Sequence, residues 1–189
     1  MPDDGAPRPQ RADARRNRAR VLDAAIEAFA AEGLSVPVHE IARRAGVGTG
    51  TVSRHFPTKE SLFQAIVLAR LEHLVERARE LAAAEPPGDA LFAFIRFMVA
   101  EGATNRGLAD ALAGAGFDVE QAAAGTGLDL TDALSDLLVP AQAAGTVRAD
   151  VGAADVKALI EGCLARERGG ADPAARDRML AVTVRGLRS

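Results

Sequence analysis

Five of the seven residues from Thr49 to His55 carry hydrogen-bonding side chains: Thr49, Thr51, Ser53, Arg54 and His55. Threonine and serine hydroxyls pair with several bases or with phosphate, and an arginine fork that reaches a base edge matches guanine O6 and N7. Gly50, with no side chain, lets a backbone approach phosphate or a thymine methyl. Three other chemistries fail in the same region. The run Gly46-Val-Gly-Thr-Gly-Thr51 invites comparison with a phosphate-binding loop, but Thr51 stands where GxGxxG needs glycine. No strand precedes it and no Gly-Lys-Ser/Thr follows. His39, His55 and His73 lack metal-ligand spacing, so no metal and no cofactor are expected. No nucleophile stands near a base, so an enzyme has no positive support.

The elements that must position these side chains read as a helix-turn-helix. VHEIARRA is a short helical run, GVG a turn, and TGTVSRH a second helical run. Ala42 is small enough for close helix approach, Gly46 tolerates positive φ, and Ile41, Ala45, Val47 and Val52 can point into a shared core. Such a motif places its second helix in a DNA major groove. Upstream, Val21, Leu22, Ala25, Ile26 and Phe29 predict a helix from about Ala14 to Glu32, ended by Gly33. Residues 1–12, rich in proline, are expected to form a flexible basic arm. From that arm and the start of the helix, Arg11, Arg15, Arg16 and Arg18 would track phosphates or enter a minor groove; a merely solubilising tail is the alternative. Arg43 and Arg44 are expected on the solvated face of the helix before the turn.

The rest is also helical. Thr58 can cap a fourth helix running to about Ala84, and Pro86-Pro87-Gly88 marks a boundary. Helices are expected at about 89–103, 128–144 and 153–168. The last one starts from Asp172 as N-cap with Pro173 behind it, and runs to Leu187. Gly107 to Gly127 should hold short helical pieces only. The expected fold is all-α, about nine helices, with no β pattern of useful length. The domains are an arm (1–12), a three-helix DNA-binding head (13–60) and a helical body (61–189).

Composition agrees. The chain has 189 residues, 48 % hydrophobic but only 4 % aromatic, so its core must be aliphatic and alanine-rich. Net charge is −3, yet residues 8–59 carry ten basic against five acidic side chains. A basic head on an acidic body suits phosphate contact by one domain. Cys163 is the single cysteine, and no apolar run approaches a membrane span. These features fit a cytoplasmic protein without membrane association.

The stretch from Ala25 to Phe63, with AAIEAFAAEG, HEIARRAGVGTGTVSRHF and KESLF, resembles the TetR family of bacterial transcriptional regulators. AGTVRADVGAADVKALIEG (144–162) and the terminal GLR resemble C-terminal halves of one subgroup. Ser53 departs from the family, which usually has an aromatic there, most often tyrosine, and Pro37 stands in place of the usual Ser or Thr cap. The resemblance implies that Thr49 to His55 is the recognition helix, exposing Thr49, Gly50, Thr51, Ser53, Arg54 and His55 to double-stranded DNA, with Val52 and Phe56 inward. It implies backbone contacts by His39 and Lys59. It further implies a body that senses a small-molecule inducer; the sequence offers Phe94, Phe97, Met98, Leu112, Phe117, Leu134 and Leu138 as candidate pocket wall, with ordinary core packing the favoured reading of each. The implied homodimer would form through two stripes, Val156, Leu159, Ile160 and Cys163 with Met179, Val182 and Leu187, packing within one subunit being the alternative, and would bind a palindromic operator as a repressor. A DNA-binding architectural protein without a ligand is the competing reading.

Overall fold

The computed structural model describes residues 8–167 and 172–189. Among these there are ten helices: α1 (Arg8–Glu32), α2 (Val38–Ala45), α3 (Thr49–His55), α4 (Lys59–Ala84), α5 (Pro87–Thr104), α6 (Arg106–Gly114), α7 (Val119–Ala123), α8 (Leu130–Ala143), α9 (Ala153–Glu167) and α10 (Pro173–Leu187). The all-α expectation holds, with ten helices rather than about nine; the glycine-rich stretch supplies two short ones, α6 and α7. The extended pairing present is an isolated bridge between Val147 and Arg188.

Helix α1 begins earlier than its periodicity predicts. Pro9 falls in its first turn, where no i−4 carbonyl awaits an N–H, so proline starts the helix instead of breaking it. Residues 8–12 of the expected arm are therefore helical, and 1–7 lie outside the described residues. Downstream, Val21, Ala25, Ala28 and Phe29 are fully buried. Gly33, at φ 77°, ends the helix with its N–H on the Phe29 carbonyl at 3.0 Å.

The other ends also follow local chemistry. Thr58 and Ser61 cap α4 reciprocally: Ser61 N–H donates to Thr58 Oγ1 at 3.1 Å, and Thr58 N–H to Ser61 Oγ at 3.2 Å. The Asp129 carboxylate accepts the Thr131 N–H at 2.6 Å to cap α8. Asp172 accepts from the Ala175 N–H at 3.0 Å to cap α10, with Pro173 in the first turn.

The chain divides into two compact units. One holds the described residues through Val67 together with Gly107–Val119; the other holds Leu68–Arg106 and Glu120–Ser189. The first is built on Val21, Phe29, Ile41, Val52, Leu62 and Ile66, each at most 1 % exposed. Within it, Phe63 meets Phe29 edge-to-face at 5.3 Å and Phe117 at 6.4 Å. Gly107 lies so close to α1 that a β-carbon there would stand 2.5 Å from the Ala30 carbonyl oxygen. The second unit has one aliphatic core, around Leu91, Phe94, Ile95, Leu134, Val156 and Ile160.

Candidate nucleic-acid interface

The turn between α2 and α3 sets the geometry of the site. Gly46 adopts φ 63°, ψ 38°, a left-handed conformation in which a side chain would be strained. Its N–H bonds the Arg43 carbonyl at 3.1 Å, and the Val47 N–H bonds that of Ala42 at 3.0 Å. This 6→1 and 5→2 pair closes α2 and redirects the chain. Ile41, Ala42 and Ala45 are buried beneath the turn, and Val47 is half-buried.

Helix α3 is anchored through Val52, which is fully buried, and through Phe56 behind it, 5 % exposed. The opposite face carries Thr49, Gly50, Ser53 and Arg54, all exposed, while Thr51 and His55 are half-buried at its edges. Arg54 folds back on its own helix, with Nε donating to the Gly50 carbonyl at 3.1 Å. That bond lies at the exposed surface, so swinging the guanidinium outward costs little. His39 is exposed in the first turn of α2, and Lys59 is half-buried in that of α4. Lys59 Nζ stands 5.8 Å from the Phe29 ring centroid.

Arg43 and Arg44 are committed elsewhere. Both bind Glu40, at 2.7 and 2.8 Å, and Arg44 also reaches Glu32 at 2.6 Å. Hydrogen bonds from Arg43 and then Arg44 hold the Glu40 carboxyl down at about 2. Glu32 and Glu40 raise Arg44 further, and Glu40 does the same for Arg43.

The α1 arginines do not form an extended arm. Arg11, Arg15, Arg16 and Arg18 all lie in helical backbone, and Arg15, Arg16 and Arg18 are exposed. Arg16 pairs with Asp13. The Arg18 guanidinium lies 5.6 Å over the Phe56 ring, and Arg20 Nη2 donates to the Gly46 carbonyl at 3.3 Å. Sequence reasoning missed the Glu32–Arg44 tie, the Arg20 bond and the Gly107 contact. Each joins positions far apart in sequence, where periodicity carries no signal.

The candidate pocket residues divide between the two units. Phe94 and Leu134 are fully buried, Leu138 is 3 % exposed and Met98 8 %, all within the core of the second unit. Phe97 packs on that core, with His73 at 5.5 Å and Arg77 over its ring at 5.7 Å. Leu112 and Phe117 belong to the first unit. A groove of about 400 Å³ runs between α4 and α8, floored by Val75, Ala78 and Leu137.

The two C-terminal stripes divide by exposure. Val156, Ile160, Cys163 and Leu187 are at most 1 % exposed and belong to the chain's own core. Leu159 is 39 % exposed, Val182 is 64 % exposed and Met179 is half-buried. These three line a groove of about 640 Å³ between α9 and α10, with Arg148, Arg166 and Arg178 along it. No helix among the described residues is long and apolar enough to cross a membrane, and they contain no cluster of three potential metal ligands.

Comparison with known proteins agrees with this arrangement. Residues 21–66 match the profile of bacterial regulatory proteins of the tetR family, and residues 86–189 match the SbtR-like transcriptional regulator C-terminal domain. The HTH-type transcriptional regulator SrpR of Pseudomonas putida is 42 % identical over 66 residues, 34 % of this chain and 30 % of that protein. The uncharacterized HTH-type transcriptional regulator TtgW, also of Pseudomonas putida, is 41 % identical over 66 residues, 34 % of this chain and 48 % of that protein. The match thus spans less than half of these curated relatives. Whole-chain likeness comes from solved structures. The TetR transcription regulatory protein of Mycobacterium vanbaalenii is 51 % identical with a TM-score of 0.80, covering 96 % of this chain and 100 % of that one. The TetR regulator SCO0520 of Streptomyces coelicolor is 33 % identical with a TM-score of 0.72, covering 90 % and 98 %. A third structure, reported as the molecular basis for control of antibiotic production by bacterial hormones, is 26 % identical with a TM-score of 0.72, covering 91 % and 97 %. With a matching C-terminal profile over more than half its length and a relative half-identical from end to end, the chain belongs to the TetR family of bacterial transcriptional regulators.

Proposed function

We propose that this regulator is a repressor that binds a palindromic operator as a homodimer and is released by a small molecule. The observation that carries the DNA half is the two-sided build of α3. Val52 is fully buried while Thr49, Gly50, Ser53 and Arg54 stand exposed on the other face. On this reading α3 enters the major groove, with Thr51 and His55 at the groove edge. His39 and Lys59 contact phosphates, and Arg11, Arg15 and Arg16 contribute sequence-independent attraction from α1. The arrangement 13–60 for DNA and 61–189 for sensing and dimerisation is the working division. Acting on chromosomal DNA, the protein works in the cytoplasm, and it is a regulator rather than an enzyme.

Two copies related by a two-fold axis present the same helix to each half-site, so the operator should be palindromic. Leu159 and Val182, apolar and exposed on adjacent helices, support dimerisation there. The ligand half is supported by the third neighbour's connection to bacterial hormones. One observation favours a regulator without a ligand: Phe94 and Leu134 are packed shut in the body core.

Selection from random duplex DNA tests the proposal. A palindromic motif is expected, and Thr51→Ala and Arg54→Ala should each change the preferred bases by about 1–3 kcal/mol. A motif without symmetry, or unchanged preference in both variants, overturns it. Operator release by a molecule from a broad metabolite screen separates the inducible reading from the ligand-free one.

A further inference from the structure

Helix α3 is poorly fixed by its own sequence. It is seven residues long, its N-cap Gly48 makes no side-chain cap, and Val52 is its one buried side chain. Helices this short are marginal alone, so the direction in which α3 presents its outer face depends on what holds its two ends. The Gly46 turn leads into it, and Phe56 closes it with an N–H to the Val52 carbonyl at 2.8 Å.

Both ends are met by arginines of α1. Arg20 Nη2 donates to the Gly46 carbonyl at 3.3 Å, across 26 residues. The Arg18 guanidinium lies 5.6 Å over the Phe56 ring, within the range of cation–π attraction. Residues two apart leave a helix about 200° from each other, so the two side chains diverge and reach different ends of α3. Among the described residues neither arginine has a carboxylate partner. We infer that Arg18 and Arg20 are positioning residues that brace the recognition helix at its two ends, rather than phosphate contacts. This rests on α3 being the DNA-reading helix. It assigns part of the basic charge of α1 to holding that helix and leaves Arg11, Arg15 and Arg16 for phosphate.

Methionine keeps much of the aliphatic stem and removes the charge; lysine keeps the charge. The test uses the full chain with Arg18→Met, Arg20→Met, Arg18→Lys and Arg20→Lys. Without DNA, amide hydrogen exchange should quicken near residues 46–50 in Arg20→Met and near 55–58 in Arg18→Met, while the middle of α1 stays as in the wild type. With the operator obtained by selection and an unrelated duplex of equal length, each Met variant should lower the specific-to-nonspecific affinity ratio about threefold to tenfold. The salt slope should stay unchanged, and Arg18→Lys should restore the ratio. Unchanged exchange at both ends of α3 overturns the proposal, whether or not an operator exists. So does a salt slope reduced by about 0.9 per variant with both affinities falling together, the signature of a lost phosphate contact. A lower melting temperature with an unchanged affinity ratio also overturns it, since the arginines would then be merely structural. Failure of the selection to return any motif counts against the regulator reading and leaves the exchange measurement to decide the brace.

Discussion

Replacing Leu159 and Val182 together by serine should dissociate the proposed homodimer. Fully burying a valine or leucine side chain gains about 1.5–3 kcal/mol over leaving it in water. Val182 is 64 % exposed, so a second copy covering it would recover about 1–2 kcal/mol. Leu159 is 39 % exposed and would recover about 0.6–1.2 kcal/mol. Each side chain occurs twice across a two-fold interface, giving about 3–6 kcal/mol for the pair, or about 10²–10⁴ in the dissociation constant. Serine is a better probe than aspartate here, because Arg148, Arg166 and Arg178 line the same groove and would pair with a new carboxylate. The parts of both side chains already covered within one copy are lost as well, so the folded monomer should lose about 1.5–3 kcal/mol, which leaves the comparison of dissociation constants valid as long as the variant stays folded. Sedimentation across a nanomolar-to-micromolar series reads the constant, and circular dichroism confirms the fold. A wild type that is monomeric at micromolar concentration, or a double variant whose dissociation constant moves less than about tenfold, refutes the reasoning.

Four further outcomes follow from the head and the last helix. Gly107→Ala should destabilise by about 1–2 kcal/mol in thermal melts, since backbone overpacking outweighs the gain in helix propensity; Gly114→Ala, with nothing near its added β-carbon, should not. The depressed Glu40 carboxyl contributes stability that is complete above its ordinary 4.5 and lost as pH falls towards about 2. The melting-temperature difference between wild type and Glu40→Gln should therefore shrink across that window; a constant difference would exclude the ion pairs as its source. Lys59→Ala should weaken binding to all duplexes about equally and reduce the salt slope by about 0.9, whereas a change of preferred motif would make Lys59 a base reader. Asp172→Ala should cost about 0.5–2 kcal/mol by removing the cap of α10, measured by denaturant unfolding.

The helix-turn-helix was legible because its determinants are local. Gly46 must take positive φ, Val52 must turn inward, and both sit within ten residues of the chemistry they position. The start of α10 was legible for the same reason, since Asp172 and Pro173 specify an N-terminus without a distant partner. The start of α1 was missed because Pro9 punctuates in either sense, and only the helix behind it decides which. The phenylalanines show the limit most clearly. Phe94 and Phe117 look alike along the chain, yet one lies in the body core and the other against Phe63. Composition cannot distinguish a cavity wall from a filled core; only the arrangement of neighbouring helices does.

The grouping of Gly107–Val119 with the DNA-binding residues also bears on how such regulators can be recombined. A hybrid that joins residues 1–67 to another regulator's body would leave behind the glycine that seats on the Ala30 carbonyl and the ring that covers Phe63. The transplanted head would expose an aromatic face it never shows in the parent. A graft that preserves it must carry α6 and Phe117 along, or supply from the new body a helix beginning with an equally bare backbone. Modularity here follows packing rather than chain order, and the seam for an engineered sensor lies on both sides of α6.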